Sequence, residues 1–78
     1  MNSLQKYENT FAETFEMDNS LVSSLVYGKS EKWDSVAHMA LIAALENTFD
    51  IMLDMDDIID FSSFEKGKEI LTKYDVEF

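Results

Sequence analysis

The feature that most constrains the fold is the uninterrupted helical pattern of Trp33–Phe49. Its apolar residues recur at steps of three and four, which is the spacing of an α-helix, and they form two adjacent stripes. One stripe is enough to bury a surface helix against a core, so the second stripe needs a separate explanation. The first stripe contains Leu41, Ala44, Leu45 and Phe49, and the second contains Val36, Met39 and Ala43.

The start of this helix is marked by Asp34 and Ser35. Asp34 is a favourable N-cap, which places Ser35 in the first turn, where backbone N–H groups lack helical partners. Those donors and the helix dipole both favour a phosphate there. Because no glycine-rich phosphate loop is present, the sequence favours a phosphate attached covalently to Ser35 over a freely bound nucleotide. The alternative is that the two residues only start a helix.

Two segments come before this helix. Leu4–Phe15 has its apolar residues on one face, so it predicts a first helix that is capped by Ser3 and packs through aromatic rings. The next segment, Glu16–Lys32, predicts a long connection with one short helical turn. We expect Leu21 and Leu25 to attach this connection to the core.

Two shorter helices are predicted after Phe49. The first is capped by Asp56 or a neighbour and ends near Asp60, and Ser62 then caps a last helix that runs to about Tyr74. In the last helix, Gly67 is expected to cost about 1 kcal/mol relative to alanine. Ile58, Ile59 and Phe61 are expected to face the interior.

These segments predict an all-α fold, a small four-helix bundle with three main helices and one short helix. A chain of 78 residues accommodates one domain, so residues 1–78 are expected to form a single unit. The sequence has no secretory leader and no membrane-spanning stretch, which predicts a cytoplasmic protein without membrane insertion. A monomer is the default expectation.

The formal charge of −10 argues against nucleic-acid binding, which needs clustered Lys and Arg, and favours partners with basic patches. Cysteine is absent and His38 is the only histidine, so a zinc–thiolate site and an all-histidine metal site are excluded. The acidic segment after Phe49 does not match a calcium loop, because Ile58 and Ile59 stand where an EF-hand has an oxygen ligand and a glycine. We expect no metal site.

Asp34, Ser35 and His38 supply the residue types of a hydrolase triad. However, Ser35 and His38 lie three residues apart on one helix, and the nucleophile elbow of such enzymes is absent. The sequence therefore predicts no catalytic residues, and His38 is expected to be either an exposed residue of a docking surface or a helix-surface residue without a role.

Asp34–Val36, followed by Leu41, Ala44–Glu46 and Phe49, resembles the acyl carrier protein family, in which an Asp-Ser-Leu motif opens the second helix and a Leu-Glu-x-x-Phe motif closes it. The resemblance covers nearly the whole chain. It implies that a phosphopantetheinyl transferase attaches a 4′-phosphopantetheine arm to Ser35. The arm would hold an acyl or aminoacyl group as a thioester.

The resemblance also assigns a docking surface for acyl-loading and acyl-transferring enzymes. Val36, Met39 and Ala43 would form its apolar stripe and Glu46 its acidic edge. Asp34 would orient the serine or help to coordinate the metal of the modifying enzyme. Fatty-acid carriers often have acids at the positions of Ala37 and Ala40, and the Trp-Asp-Ser opening is most similar to carriers of specialised pathways, such as surface-polysaccharide and secondary-metabolite synthesis.

Two alternatives stay open at this level. The bundle interior can either shelter a short acyl chain or be fully packed, and the six phenylalanines favour a packed core. The chain can also be an unmodified acidic helical adaptor, in which Val36 and Met39 bind a partner helix and Ser35 is only a helix start. If the interior shelters an acyl chain, the residues expected around that chain are Phe11, Leu45, Phe49, Ile58 and Phe64.

Overall fold

A computed structural model describes residues 2–29 and 32–78. Over these ranges the chain forms four α-helices and one 3-10 helix and contains no β-strand. The predicted all-α bundle with three longer helices and one short helix is confirmed. The α-helices are α1 (Ser3–Phe15), α2 (Ser35–Phe49), α3 (Met55–Asp60) and α4 (Phe64–Thr72), and the 3-10 helix spans Asn19–Ser24.

The two longest helices begin at side-chain caps. The Oδ1 atom of Asp34 accepts a hydrogen bond from the backbone N–H of Ala37 at 2.9 Å, as predicted for the start of α2. At α1 the cap is Asn2, whose Oδ1 accepts from Gln5 N–H at 2.8 Å. The predicted cap, Ser3, is instead the first helical residue.

The core is built largely from aromatic rings. Phe11 is fully buried, and the centroid of its ring lies 4.8 Å from that of Tyr7, 5.1 Å from that of Phe64 and 5.6 Å from that of Trp33. Such edge-to-face pairs add to the stabilisation that burial alone provides. The hydroxyl of Tyr7 donates a hydrogen bond to the backbone oxygen of Phe64 at 2.6 Å, which joins α1 to the start of α4.

The connection between α1 and α2 is attached to the core by Val22 and Leu25, which are 0% and 5% exposed. Leu25 is buried as predicted, whereas the prediction for Leu21 is wrong, since it is 54% exposed. A 3-10 helix has three residues per turn, so Val22 and Leu25 share one side and Leu21 lies off it. Ser30 and Glu31, which belong to the predicted connection, lie outside the described residues.

Helix α3 ends at Asp60 as predicted, and Phe61 is buried after it. The expectation for Ile59 is wrong, because its side chain is 72% exposed, and Ile58 is only half-buried. The residue that α3 buries is Asp57, at 8% exposure. A charged residue takes this place because its carboxylate receives hydrogen bonds from residues that follow α4.

Helix α4 begins one residue later than predicted. The Oγ atom of Ser63, not that of Ser62, accepts from the backbone N–H of Lys66 at 2.9 Å. Gly67 is buried, and a Cβ atom added there would overlap the hydroxyl of Tyr7 and the ring of Phe61. The expectation that alanine would be better than Gly67 is therefore wrong, because the position has no space for a methyl group.

In the described ranges, no helix combines the length and the apolar character that crossing a bilayer requires.

Candidate functional site

Ser35 is the first residue of α2 and its side chain is exposed. The preceding residue, Asp34, accepts two hydrogen bonds from the first turn. Its carboxylate accepts from the backbone N–H of Ala37, and its backbone oxygen accepts from the backbone N–H of His38 at 2.8 Å. Ser35 is thus held at a fixed helix start with its hydroxyl at the surface. This geometry fits an attached phosphate, which would lie at the positive end of the α2 dipole.

In the structure, the two stripes of α2 differ in burial. Leu41 and Leu45 of the first stripe are fully buried, and Ala44 and Phe49 are half-buried. Ile42, which belongs to neither stripe, is also buried, at 2% exposure. The second stripe faces solvent: Val36 is 79% exposed, Met39 is 57% exposed, and Ala43 is exposed as well.

Glu46, which the resemblance assigns to the edge of the docking surface, makes a contact within the chain. It is half-buried, and its Oε2 atom accepts from the backbone N–H of Leu53 at 2.8 Å. Leu53 lies just before α3, so this carboxylate ties the last part of α2 to the segment that leads into α3. Nothing in the local sequence indicates this contact, because it joins residues in separate elements.

His38 is half-buried rather than exposed, so the expectation for this residue is wrong. The indole N–H of Trp33 donates to its Nδ1 atom at 3.0 Å, and its Nε2 atom lies 2.8 Å from the backbone oxygen of Ile58. Because the indole nitrogen can only donate, Nδ1 must accept, and Nε2 carries the proton that is donated to Ile58. Both nitrogens of the imidazole are therefore engaged with residues other than Ser35 and Asp34.

An apolar cleft of about 400 Å³ opens beside Ser35. It lies between the first turns of α2, helix α3 and the segment around Tyr27. Sequence reasoning does not find this cleft because its walls come from separate segments, and the only cargo space that it considers lies within the bundle interior. The lining residues are Tyr27, Ser35, His38, Met39, Ile58, Ile59, Phe61 and Ser62.

A polar cluster holds the other side of α3. Lys73 Nζ and the hydroxyl of Tyr74 each donate to the carboxylate of Asp57, at 2.5 Å. The hydrogen bond from Lys73, followed by that from Tyr74, holds the pKa of Asp57 below its usual range. The same bond to Asp57 raises the pKa of Lys73. These residues are all engaged with one another, so the cluster positions α3.

The part of the chain that the structure describes contains no group of three or more His, Cys, Asp or Glu residues arranged to hold a metal ion. Comparison with known proteins returns no relative: no family model, no curated protein and no solved structure matches this chain. The resemblance to acyl carrier proteins therefore depends on the motif residues of α2.

Proposed function

We propose that this protein is a carrier whose Ser35 bears a covalent 4′-phosphopantetheine arm. The observation that carries the proposal is the exposed hydroxyl of Ser35 at the first residue of α2, after the capping carboxylate of Asp34. The motif residues of α2 add the family resemblance. When bound, the arm supplies a terminal thiol that carries an acyl or aminoacyl group as a thioester.

The residues around Ser35 support both attachment and presentation. The rigid first turn holds the hydroxyl outside the fold, where a phosphopantetheinyl transferase can reach it. Val36 and Met39 expose large apolar side chains within one turn of Ser35, and exposed methionine adapts to differently shaped partners. The acidic character of the protein, with a formal charge of −10, favours enzymes that surround an apolar contact with basic residues.

The second candidate function is an unmodified acidic adaptor that binds a basic, apolar partner surface. It is favoured by the amount of exposed apolar surface, which extends beyond α2. Ile59 lines the same cleft as Met39 and is 72% exposed, and Met55 of the same helix is 76% exposed. Scattered apolar residues are common at protein surfaces, whereas several on adjoining elements indicate an interaction site.

One experiment distinguishes the two functions. The protein is incubated with coenzyme A, magnesium and a broad-specificity phosphopantetheinyl transferase, and its intact mass is measured. The carrier function predicts a gain of one phosphopantetheinyl group in the wild type and none in Ser35→Ala. Ser62→Ala is the matched control, since Ser62 is an exposed serine at the same cleft and its loss should leave the modification unchanged.

Ser35→Ala should remain folded, with a free energy of unfolding within about 1 kcal/mol of wild type, because Asp34 still caps α2. A folded wild-type sample that gains no mass, even with the transferase of its own source organism, would leave the adaptor as the better proposal. An adaptor would also keep its partner binding in Ser35→Ala.

A further inference from the structure

We propose that Trp33 and His38 are positioning residues for the modification of Ser35, because the hydrogen bond between them attaches the first turn of α2 to the aromatic core. This role rests on the proposed carrier function. In the transfer, the Ser35 oxygen forms a bond to the phosphorus of coenzyme A that carries the pantetheine. The pyrophosphate bond breaks, 3′,5′-adenosine diphosphate leaves, and the serine proton passes to a base of the transferase. Neither Trp33 nor His38 takes part in a chemical step.

The first turns of α2 have little contact with the core of their own. None of residues 35–40 is buried, and the half-buried side chains among them are Ala37 and His38. The first buried side chain of the helix is that of Leu41. The two hydrogen bonds to Asp34 close the turn on itself, since both join residues of the turn. They do not fix where the turn lies relative to the core.

Trp33 supplies a fixed point in the core. Its side chain is 1% exposed, and the centroid of its ring lies 5.6 Å from that of Phe11 and 5.4 Å from that of Phe15, both in α1. A ring that is packed closely on several sides keeps one orientation, so its N–H points in one direction. This N–H donates to Nδ1 of His38 at 3.0 Å. The turn that carries His38 is thereby tied to α1.

The bond between Trp33 and His38 also encloses the serine. It joins residues five positions apart, and Ser35 lies between them, directly after the N-cap. Without this bond, the backbone around Ser35 would be attached to the core on one side only. A displacement of reacting groups by about 1 Å can lower a rate about hundredfold, so the place of the attacking oxygen matters.

His38 makes a second hydrogen bond, to the end of α3. Its Nε2 atom donates to the backbone oxygen of Ile58 at 2.8 Å. The bond that this oxygen receives from the backbone N–H of Phe61 is long, at 3.4 Å, so the imidazole acts as a side-chain cap for α3. The two nitrogens serve different partners, which allows the two bonds to be tested separately.

Four substitutions separate the two bonds. His38→Asn places an amide oxygen where Nδ1 lies, so it can accept from Trp33 but is too short to reach Ile58. His38→Gln keeps a donor near the position of Nε2 and lacks the acceptor for the indole. His38→Leu keeps apolar volume and forms neither bond, and Trp33→Phe removes the donor but keeps an aromatic ring.

The test measures the steady-state transfer of phosphopantetheine to each protein from coenzyme A, with magnesium and a broad-specificity transferase. We expect kcat to fall about tenfold or more in His38→Leu, His38→Gln and Trp33→Phe. The KM for the protein should stay within about twofold of wild type, since Val36 and Met39 remain exposed on α2. His38→Asn should restore kcat to within about threefold of wild type.

Ile70→Val is the control for a loss of stability alone. Ile70 is 3% exposed in α4, and a smaller side chain there should lower Tm without touching the start of α2. All proteins are assayed at a temperature where circular dichroism shows them folded. Unchanged kcat and KM in this variant would support the positioning role, whereas an equal fall in kcat would refute it.

The chain contains its own spectroscopic reporter of the bond. It has one tryptophan, so the indole N–H gives a single cross-peak in a ¹H–¹⁵N NMR spectrum. His38→Leu and His38→Gln should shift this peak and speed the exchange of its proton with water, and His38→Asn should keep both near wild type. An indole proton that exchanges equally fast in all of these proteins would refute the bond.

The outcomes distinguish this inference from the function beneath it. Failure of the wild type to gain a phosphopantetheinyl group would refute the carrier function itself. Modification of the wild type and all four variants with equal kcat would refute the positioning role and leave the carrier function standing. Recovery in His38→Gln rather than in His38→Asn would refute the bond to Trp33 as the one that positions Ser35. The Asn and Gln variants keep the test decisive if His38→Leu does not fold.

Discussion

Gly67 sets how closely α4 approaches α1. The Tyr7 hydroxyl and the Phe61 ring both pack against this residue, and the same hydroxyl donates to the backbone oxygen of Phe64 at 2.6 Å. Burial raises the pKa of the Tyr7 hydroxyl, which therefore stays protonated and remains a donor at physiological pH. A side chain of a single hydrogen atom is what allows this hydrogen bond to form beside α4.

We predict that Gly67→Ala lowers the free energy of unfolding, because displacing Tyr7 or Phe61 to make room for the methyl group costs about 1–3 kcal/mol. This loss should exceed the gain of about 1 kcal/mol that alanine brings to a helix interior. Urea denaturation measures the difference. Glu69→Ala, at an exposed position of the same helix, is the control and should change stability by less than about 0.5 kcal/mol. An alanine variant as stable as wild type would contradict the close packing.

At the scale of elements, α3 is positioned mainly by polar contacts. It has six residues and buries only Asp57, while Met55 and Ile59 point to solvent. Side chains from other elements form hydrogen bonds with α3 and with the residue just before it. Glu46 accepts from the backbone N–H of Leu53, and His38 donates to the backbone oxygen of Ile58. Lys73 and Tyr74 donate to the carboxylate of Asp57. A short helix with so little apolar burial depends on such bonds for its position.

We predict that the stabilising effect of the Asp57 carboxylate depends on pH. Hydrogen bonding lowers its pKa in the folded state, so its contribution is complete above the unfolded-state pKa of about 3.9 and is lost as pH falls through the folded-state value. Asp57→Asn should therefore lower Tm at pH 7, and the difference from wild type should shrink in acid.

Thermal unfolding at a series of pH values measures this difference. Asp56→Asn is the matched control, since Asp56 is exposed in the same helix, and it should track the wild type at each pH. A gap between wild type and Asp57→Asn that stays constant from neutral pH to strong acid would argue against the ionised carboxylate as the source of stability.

The elements that sequence reasoning predicts well are those defined by local signals. Asp34 caps α2 because a short carboxylate reaches the N–H group three residues on, and the spacing of Leu41 and Leu45 selects the buried face. Apolar character alone predicts that Ile59 and Leu21 are buried, yet both are exposed because of the direction in which short helices present them. For Ile59 that direction is set by tertiary contacts such as the hydrogen bonds to Asp57, and for Leu21 by the three-residue turn of the 3-10 helix.

The candidate site likewise has parts that the sequence predicts and parts that it does not. Ser35, Val36 and Met39 are recognisable from one contiguous stretch, because a helix start and an exposed stripe are local patterns. The cleft and the Trp33–His38–Ile58 chain of hydrogen bonds are not recognisable, because they join separate segments: His38 and Ile58 are 20 positions apart, and the cleft is lined from Tyr27 to Ser62. Gly67 is the clearest case, since helix propensity alone favours alanine, whereas the hydroxyl of Tyr7 in α1 and the ring of Phe61 after α3 leave no space for a methyl group.

At the scale of the whole molecule, the excess of negative charge opposes the compact state. The sequence has 16 acidic and 6 basic residues. Among the described residues, Lys66, Lys68 and Lys73 form ion pairs with nearby carboxylates, which leaves most acids without a cation. Like charges repel over distances that screening by salt shortens.

We predict that Tm rises when salt increases from about 10 mM to about 150 mM, since the screening length falls from roughly 30 Å to roughly 8 Å. A variant that neutralises exposed acids, Glu13→Gln with Asp56→Asn and Asp60→Asn, should be less sensitive to salt than the wild type. Differential scanning calorimetry of both proteins at constant pH measures the two slopes. Equal, flat curves would show that self-repulsion has little effect on this fold.

The placement of methionine has a consequence for oxidative chemistry. Met39, Met52 and Met55 are 57%, 83% and 76% exposed, and none of the methionines that the structure describes is buried. Peroxide converts an accessible thioether into a polar sulfoxide, and the chain has no cysteine to react first. An oxidant would therefore leave the aromatic core untouched while it changes the apolar surface of α2 and α3. A sample handled in air can therefore stay folded while its exposed apolar surface on α2 and α3 becomes polar.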